Sequence, residues 1–294
     1  MRKILRRFLI QRRLLKSSRA LQASHDLSKR FGGAVLDYNQ KMEQERTRLR
    51  NKVEALCHQA VSDSGHAEAT LYLTLIYFSS IGAHMVEKAD RWLKSWGGGL
   101  IESGFREIGL SYIQHAEEEV GHDNWHRRDV KVLAEMFQEK FGHNLEVSQL
   151  LLRGRVDCVK RYEELCEEEV SGPLSYRSLG VLYETEIMAL DLAPKFIGFC
   201  VGELGFEVLK GLGFLNGHME SDIDHIRDNV IQMHEFLKRR PDSLNELVDA
   251  GQKTVSIFEE YFEACLEMAQ NHISELNRST RGLESPESRA AASG

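Results

Sequence analysis

Proline is scarce in this chain, with four among 294 residues. Because proline interrupts helices, its scarcity permits long helical stretches. Runs of alternating Val, Ile or Thr, which are typical of strands, are absent as well. Long stretches instead repeat their apolar residues with the 3.6-residue period of a helix. The sequence therefore predicts an all-α protein, and its 42% of apolar residues are enough for a sizeable core.

Paired cysteines and long apolar runs are also lacking. The five cysteines are odd in number and scattered, and they form no CxxC pair. Without a secretory signal, this usage indicates reduced thiols in a cytoplasmic protein. No apolar run reaches the roughly 18 residues that are needed to span a bilayer. We therefore expect a cytoplasmic protein with no transmembrane segment.

Acidic residues are missing from the first twenty positions, which carry eight Lys or Arg. The remainder then holds 30 basic against 45 acidic residues, a balance that repels nucleic acid. The basic segment also contains Leu, Ile and Phe, so an amphipathic helix is expected there. A membrane-surface or targeting role is one interpretation. Packing of this arm on the acidic body, or on a second subunit of a homodimer, is the other.

Three regions follow from this composition. We expect a basic amphipathic or flexible arm at 1–30, a helical domain at 31–277 and a disordered polar tail at 278–294. About seven helices can be drawn in total. Three consecutive glycines at 97–99 are expected to end one helix, and the next is drawn without a break from about 101 to 140. Pro194 is expected to kink or break the helix that contains it.

The first group of chemically interesting residues lies in "HAEEEVGHDNWH", residues 115–126. Glu119 and His122 are three positions apart, so they project from one side of a helix. His115 and His126 each lie four positions from one of them and share that side. A single such histidine is more often a packed or surface residue. Three in register with a glutamate are unusual on a solvated face.

The second group lies in "GHMESDIDH", residues 217–225. His218, Asp222 and His225 are spaced by four and three, so they share one helix face. That face continues an apolar stripe that includes Phe214 and Leu215. We therefore expect the three polar groups to be buried.

The third group is one carboxylate in "LGVLYETEIMAL", residues 179–190. Glu186 lies on an otherwise apolar face, whereas Glu184 shares its side with Arg177 and Asp191. A buried carboxylate without a partner costs several kcal/mol, so Glu186 requires a cation. Glu186 is therefore preferred over Glu184 as a ligand.

Together the three groups predict a site with three imidazoles and three carboxylates. Six mixed N and O ligands without a thiolate are too many for a structural zinc ion. They suit iron or manganese, and their number suits two metal ions that share a carboxylate. The predicted ligands are Glu119, His122, Glu186, His218, Asp222 and His225.

Three segments resemble those of a known enzyme family. "HMESDIDH", "HAEEEVGHDNW" and "LGVLYETE" are similar to the corresponding segments of the heme-oxygenase-like di-iron oxidases, with the matches lying between about residues 100 and 240. The resemblance implies a heme-oxygenase-like helical bundle. It also implies that Glu119 and His122 come from the first ligand helix, Glu186 from the second, and His218, Asp222 and His225 from the third.

The same resemblance implies an enzymatic activity. Members of that family bind two Fe(II) ions, take O2 as co-substrate and oxidise small molecules such as amines, amino acids or fatty acids. The outcomes are N-oxygenation, desaturation or oxidative C–C cleavage. We therefore expect an O2-dependent oxidoreductase with a small-molecule substrate, and an external electron donor is compatible with this chemistry.

Three other functions remain open. A ferritin-like di-iron bundle also uses ExxH motifs, but His218 does not fit its ligand pattern. A heme-binding protein needs a proximal histidine near the amino terminus, for which His25 is available. A non-enzymatic helical adaptor would dock through the basic arm and bind no stoichiometric iron.

Overall fold

The computed structural model describes the backbone of residues 2–62 and 65–283, and the side chains of 15–62, 65–218 and 224–278. Within these ranges the chain is helical and contains no strand, which confirms the all-α class. The α-helices are α1 (Arg2–Phe31), α2 (Gly33–Ala60), α3 (Ala67–Val86), α4 (Ala89–Glu102), α5 (Arg106–Glu118), α6 (His122–Phe141), α7 (Val147–Arg153), α8 (Asp157–Glu164), α9 (Ser178–Leu204), α10 (Gly213–Arg239) and α11 (Leu244–Leu283). A count of about seven was therefore too low.

Glycines account for several differences from the predicted helices. Gly121 has φ +84°, a left-handed conformation that glycine adopts readily, and it divides the predicted 101–140 helix into α5 and α6. The three glycines at 97–99, in contrast, lie inside α4. A Cβ on Gly97 would lie 2.6 Å from the carbonyl oxygen of Gly109. Gly97 therefore permits close packing of α4 on α5, and the three glycines do not end a helix.

Pro194 does not break its helix, because α9 runs without interruption from Ser178 to Leu204. Buried apolar side chains flank the proline on both sides, among them Leu192, Phe196 and Ile197. Packing of this kind contributes more to helix stability than the single hydrogen bond that proline removes. The helix is central, since it contacts α1, α10 and α11.

The stretch Ala67–Glu102, which comprises α3 and α4, is long and apolar enough by composition to cross a membrane. The expectation that no segment reaches this threshold was therefore wrong. Within the protein, 94% of its apolar window is buried. Its α3 portion packs against α6 and α11, so the apolar composition serves the core of the bundle.

The carboxyl-terminal half of α1 packs on the body of the protein. Ser17, Ala20, Ser24 and Ser28, spaced by three or four residues, are all buried. Helix α1 contacts α9 and α10 along this face. This part of the predicted arm is therefore joined to the helical domain. The side chains of residues 1–14 and the predicted tail beyond residue 283 lie outside the described residues.

Candidate metal centre

Four helices bring histidines and glutamates together in two adjacent groups. His115 from α5, Glu186 from α9 and His225 from α10 form one group, and their potential ligand atoms lie within 4.8 Å of one another. Glu119, His122 and His218 form the second group under the same limit. Five of the six predicted ligands thus converge. Asp222 lies on α10 between His218 and His225, but its side chain is outside the described residues.

Glu119 lies between the two groups. Its Oε2 atom is 2.8 Å from Nδ1 of His122, and its Oε1 atom is 3.4 Å from Nε2 of His115. Burial raises the pKa of the Glu119 carboxyl, but the imidazoles of His115 and His122 lower it by a larger amount. The pKa of Glu119 therefore lies well below its usual value. The carboxylate is therefore ionised at neutral pH and faces nitrogen atoms from both groups.

Glu186 has a similar position in the other group. Its Oε1 atom lies 3.6 Å from Nε2 of His115 and 3.5 Å from Nδ1 of His225. These distances exceed those of good hydrogen bonds. Two donor atoms that each lie about 2.1 Å from one ion are separated by about 3.0 Å at right angles and about 3.4 Å in a tetrahedron. The spacing thus fits atoms that share a metal ion.

His115 gives a second indication that the residues fit a metal. Its Nε2 atom is buried and makes no hydrogen bond to any described group. Burial of such an atom is costly unless something satisfies it. Because Nε2 points between Glu119 and Glu186, a cation held by those carboxylates would satisfy it. The sequence pattern places His115 on the same helix face as Glu119 but does not include it among the six predicted ligands.

His126, the other histidine on the predicted face, has a different environment. It is only 1% exposed, and its ring stacks on Phe214 with 3.6 Å between centroids. Burial and the neighbouring His218 and His122 hold its pKa well below the usual value. A Cβ on Gly82 would lie 2.5 Å from this ring. His126 is therefore a neutral histidine packed in the core.

Glu118 was missed by the sequence pattern because it is half exposed, like an ordinary surface acid. Its Oε2 atom lies 2.9 Å from Nε2 of His225, a residue 107 positions away. With Nε2 directed at Glu118, the Nδ1 atom of His225 faces Glu186. Carboxylates commonly orient metal-binding histidines in this way.

Glu184 was expected on the more polar side of α9, and that expectation was wrong. Its side chain is fully buried, and Arg46 of α2 binds it with two hydrogen bonds of 2.8 and 2.6 Å. The hydroxyl of Tyr38 donates a third at 2.9 Å. Its charge is thus compensated within the protein, at a distance from the histidines.

A cavity of about 150 Å³ adjoins the two groups. Four of their members line it, namely His115, Glu119, Glu186 and His218, and the remaining walls are mostly aliphatic and aromatic side chains. The polar groups thus border an apolar cavity inside the bundle. Such a cavity can hold a small organic molecule next to the candidate metal centre.

No family model matches the chain, and the comparison with curated proteins gives no match either. The functional interpretation therefore depends on the geometry of the two groups, on the cavity beside them and on the motifs themselves.

Proposed function

We propose that this protein is a non-heme di-iron oxidoreductase that uses O2 to oxidise a small organic substrate. The observation that carries the proposal is the convergence of two His and Glu groups, linked by Glu119 and opening onto an apolar cavity. The motif resemblance to the heme-oxygenase-like di-iron oxidases, and to their helical bundle, supports the same assignment.

Each group provides ligands for one ion. Glu119, His122 and His218 would hold the first, and His115, Glu186 and His225 the second, with Asp222 assigned to the second from its place in the motif. Imidazole and carboxylate ligands without thiolate suit Fe(II), with Mn(II) as the nearest alternative. Two Fe(II) ions would supply two electrons to O2, and an external donor would restore them for the next turnover.

The protein residues around the centre have distinct tasks. Glu118 orients His225, and Glu119 keeps a negative charge between the two groups. The apolar walls of the cavity exclude water from the space where a substrate would lie, which strengthens electrostatic interactions there. This arrangement favours an oxidase over an iron store, since storage does not require a substrate chamber.

The alternatives have weaker support in the structure. His25, the candidate heme ligand, is exposed on α1 and is not among the residues that line the cavity. A helical adaptor would have no use for an imidazole nitrogen buried without a hydrogen bond, as in His115. A ferritin-like site would still leave His218 unexplained.

Metal content tests the proposal directly. The purified protein is loaded anaerobically with Fe(II), freed of excess metal and analysed for iron, and O2 uptake is then followed. We expect about two irons per chain and rapid O2 uptake. His122→Ala and His218→Ala should lose iron and uptake while their circular dichroism is retained.

His25→Ala is the matched control, because it removes a histidine outside the cluster. It should bind iron like the wild type. Less than one iron in the wild-type protein, or wild-type O2 uptake in both cluster variants, would contradict the proposal. Stoichiometric heme binding that His25→Ala abolishes would favour the heme alternative.

A further inference from the structure

The cavity walls expose carbon rather than polar atoms. Four polar residues of the wall use their hydrogen-bonding groups elsewhere. Trp92 Nε1 donates to Glu167 at 3.2 Å, Trp96 Nε1 to the carbonyl of Cys166 at 3.1 Å, Tyr261 OH to the carbonyl of Phe78 at 2.6 Å, and Thr185 Oγ1 to the carbonyl of Val181 at 3.0 Å. The indole rings, the phenol ring and the threonine methyl are what a bound molecule would contact.

Charge is confined to the metal centre. Among the described residues that line the cavity there is no Lys or Arg, and the acids there are Glu119 and Glu186. A charged group placed away from the centre would therefore lose its hydration without gaining a partner. A ligand can have a polar group only where it reaches the histidines and glutamates.

The cavity lies along α9. Its lining residues on this helix run from Leu182, one turn before Glu186, to Phe196, and the ten positions from Glu186 to Phe196 correspond to a rise of about 15 Å. Its volume of about 150 Å³ is similar to that of a dry cavity that accepts one benzene molecule. Spread over such a length, this volume describes a narrow channel rather than a round chamber.

We propose that this channel binds the unbranched hydrocarbon chain of a substrate that has one polar group, placed at the end that meets the metal centre. This inference rests on the proposed function and selects among its substrate classes. A straight-chain aliphatic compound fits the walls, whereas a free α-amino acid does not, because it brings two opposite charges. The shared chemistry of alkyl carboxylates and alkyl amines is the chain, and the terminal group distinguishes them.

Binding of straight-chain alcohols to the metal-free protein isolates the contribution of the chain. Calorimetric titration with alcohols from butanol to decanol should show Kd falling about fourfold for each added methylene, as expected for burial of apolar surface. The gain should stop once the channel is filled. Cyclohexanol should bind more weakly than hexanol, since a ring does not fit a narrow channel.

The polar end is then tested in protein loaded with Fe(II) under anaerobic conditions. Octanoate, octylamine and 2-aminooctanoate have the same chain with different end groups. We expect either octanoate or octylamine to bind at least tenfold more tightly than 2-aminooctanoate. The tighter of the two identifies the substrate as an acid or an amine.

A channel variant provides the structural control. Ala193 lines the far part of the channel, so Ala193→Phe should remove the gain from the longer alcohols but keep butanol binding. If Ala193→Phe does not fold, Ala193→Val replaces it. Ala193→Val should reduce the gain from the longer alcohols by a smaller amount. Gly198→Ala is the matched control on the same helix, because a Cβ there meets nothing within 4 Å, and it should bind every alcohol like the wild type.

The results separate the two proposals. Kd values independent of chain length, equal binding of 2-aminooctanoate, or an Ala193→Phe variant with unchanged chain preference would overturn the assignment of the channel. If that happens in a protein that binds two irons and consumes O2, the proposed function stands without this substrate class. Chain-dependent binding in a protein that takes up no iron would instead retain the channel and refute the oxidase.

Discussion

Two buried glutamates on α9 lie only two positions apart and have opposite surroundings. Glu184 faces α2, where Arg46 and Tyr38 bind its carboxylate. Glu186 faces α5 and α10, where the nitrogen atoms of His115 and His225 lie 3.6 and 3.5 Å away. Burial alone therefore does not distinguish a structural carboxylate from a candidate metal ligand. The identity of the facing groups does.

The surroundings of Glu184 extend into a polar network of α1, α2 and α9. Asn39 accepts hydrogen bonds from Arg46 at 2.9 Å and from Tyr183 at 3.2 Å. It also donates to Ser28 at 3.1 Å. This network is satisfied by protein groups, as a buried ion pair requires. The surroundings of Glu186 consist of the imidazoles of His115 and His225 and of a cavity, which are features of a site that binds something else.

The largest effect is expected when Glu186 is changed. In the proposed centre Glu186 is a negative ligand of one ion, so Glu186→Gln should lower the affinity for that ion by more than about 100-fold, since loss of an outer partner alone costs 10–100-fold. O2-dependent turnover should be lost with it. The variant should still fold without metal, as judged by urea denaturation. Unchanged iron content would show that Glu186 is not a ligand.

Glu184→Gln should affect the fold more than the metal. This change leaves Arg46 buried without its counter-ion, and breaking such a pair costs about 3–5 kcal/mol. Urea denaturation of metal-free wild type, Glu184→Gln and Glu186→Gln measures the difference. A smaller loss of stability in Glu184→Gln than in Glu186→Gln would reverse the comparison.

Local spacing explains what was predictable from the sequence. The i, i+3 and i, i+4 relations within α10 depend only on helix geometry, so the shared face of His218 and His225 could be foreseen. Glu119 and His122 lie on either side of the break at Gly121, so their approach depends on that turn and not on one continuous helix. The choice of Glu186 also followed from its apolar helix face. These relations need no knowledge of the tertiary fold.

Contacts between distant segments explain what was missed. Helix α9 is covered on several sides, so both Glu184 and Glu186 are buried. Their positions around the helix therefore cannot predict which of the two is exposed. The partner of Glu184 is Arg46, 138 positions away, and no local pattern indicates it. The role of Glu118 depends in the same way on the packing of α10 against the end of α5. The roles of Gly97 and Gly121 depend on packing and on backbone conformation.

Asp129 is a third buried carboxylate, and its hydrogen-bond partners are backbone amides. It accepts hydrogen bonds from the amides of Gly213 at 2.8 Å and Phe214 at 2.9 Å, at the start of α10. Burial raises its pKa to about 6, although these two hydrogen bonds oppose the shift. In the unfolded chain its pKa is near 3.8.

Because the folded-state pKa is the higher one, protonation stabilises the folded protein. This contribution is fully present below about pH 3.8 and is lost as the pH rises to about 6, by up to about 3 kcal/mol. Asp129→Asn should abolish this part of the pH dependence. Urea denaturation of metal-free protein at several pH values checks it, and an unchanged pH profile in the variant would refute the assigned shift.

The smallest effect is expected at Glu118, which acts through His225. Glu118→Gln keeps a side chain of similar size but weakens the acceptor that holds Nε2 of His225, so Nδ1 is less firmly directed at Glu186. Affinity for one of the two proposed Fe(II) ions should fall by about 10–100-fold, while the other ion is retained and the stability of the metal-free protein changes little. Glu117→Gln is the matched control, because it removes the same charge from the adjacent exposed position. Anaerobic Fe(II) titration of both variants separates orientation from charge. Equal weakening in the two variants would mean that Glu118 acts only through its charge, whereas a loss confined to Glu118→Gln would place it as the residue that orients His225.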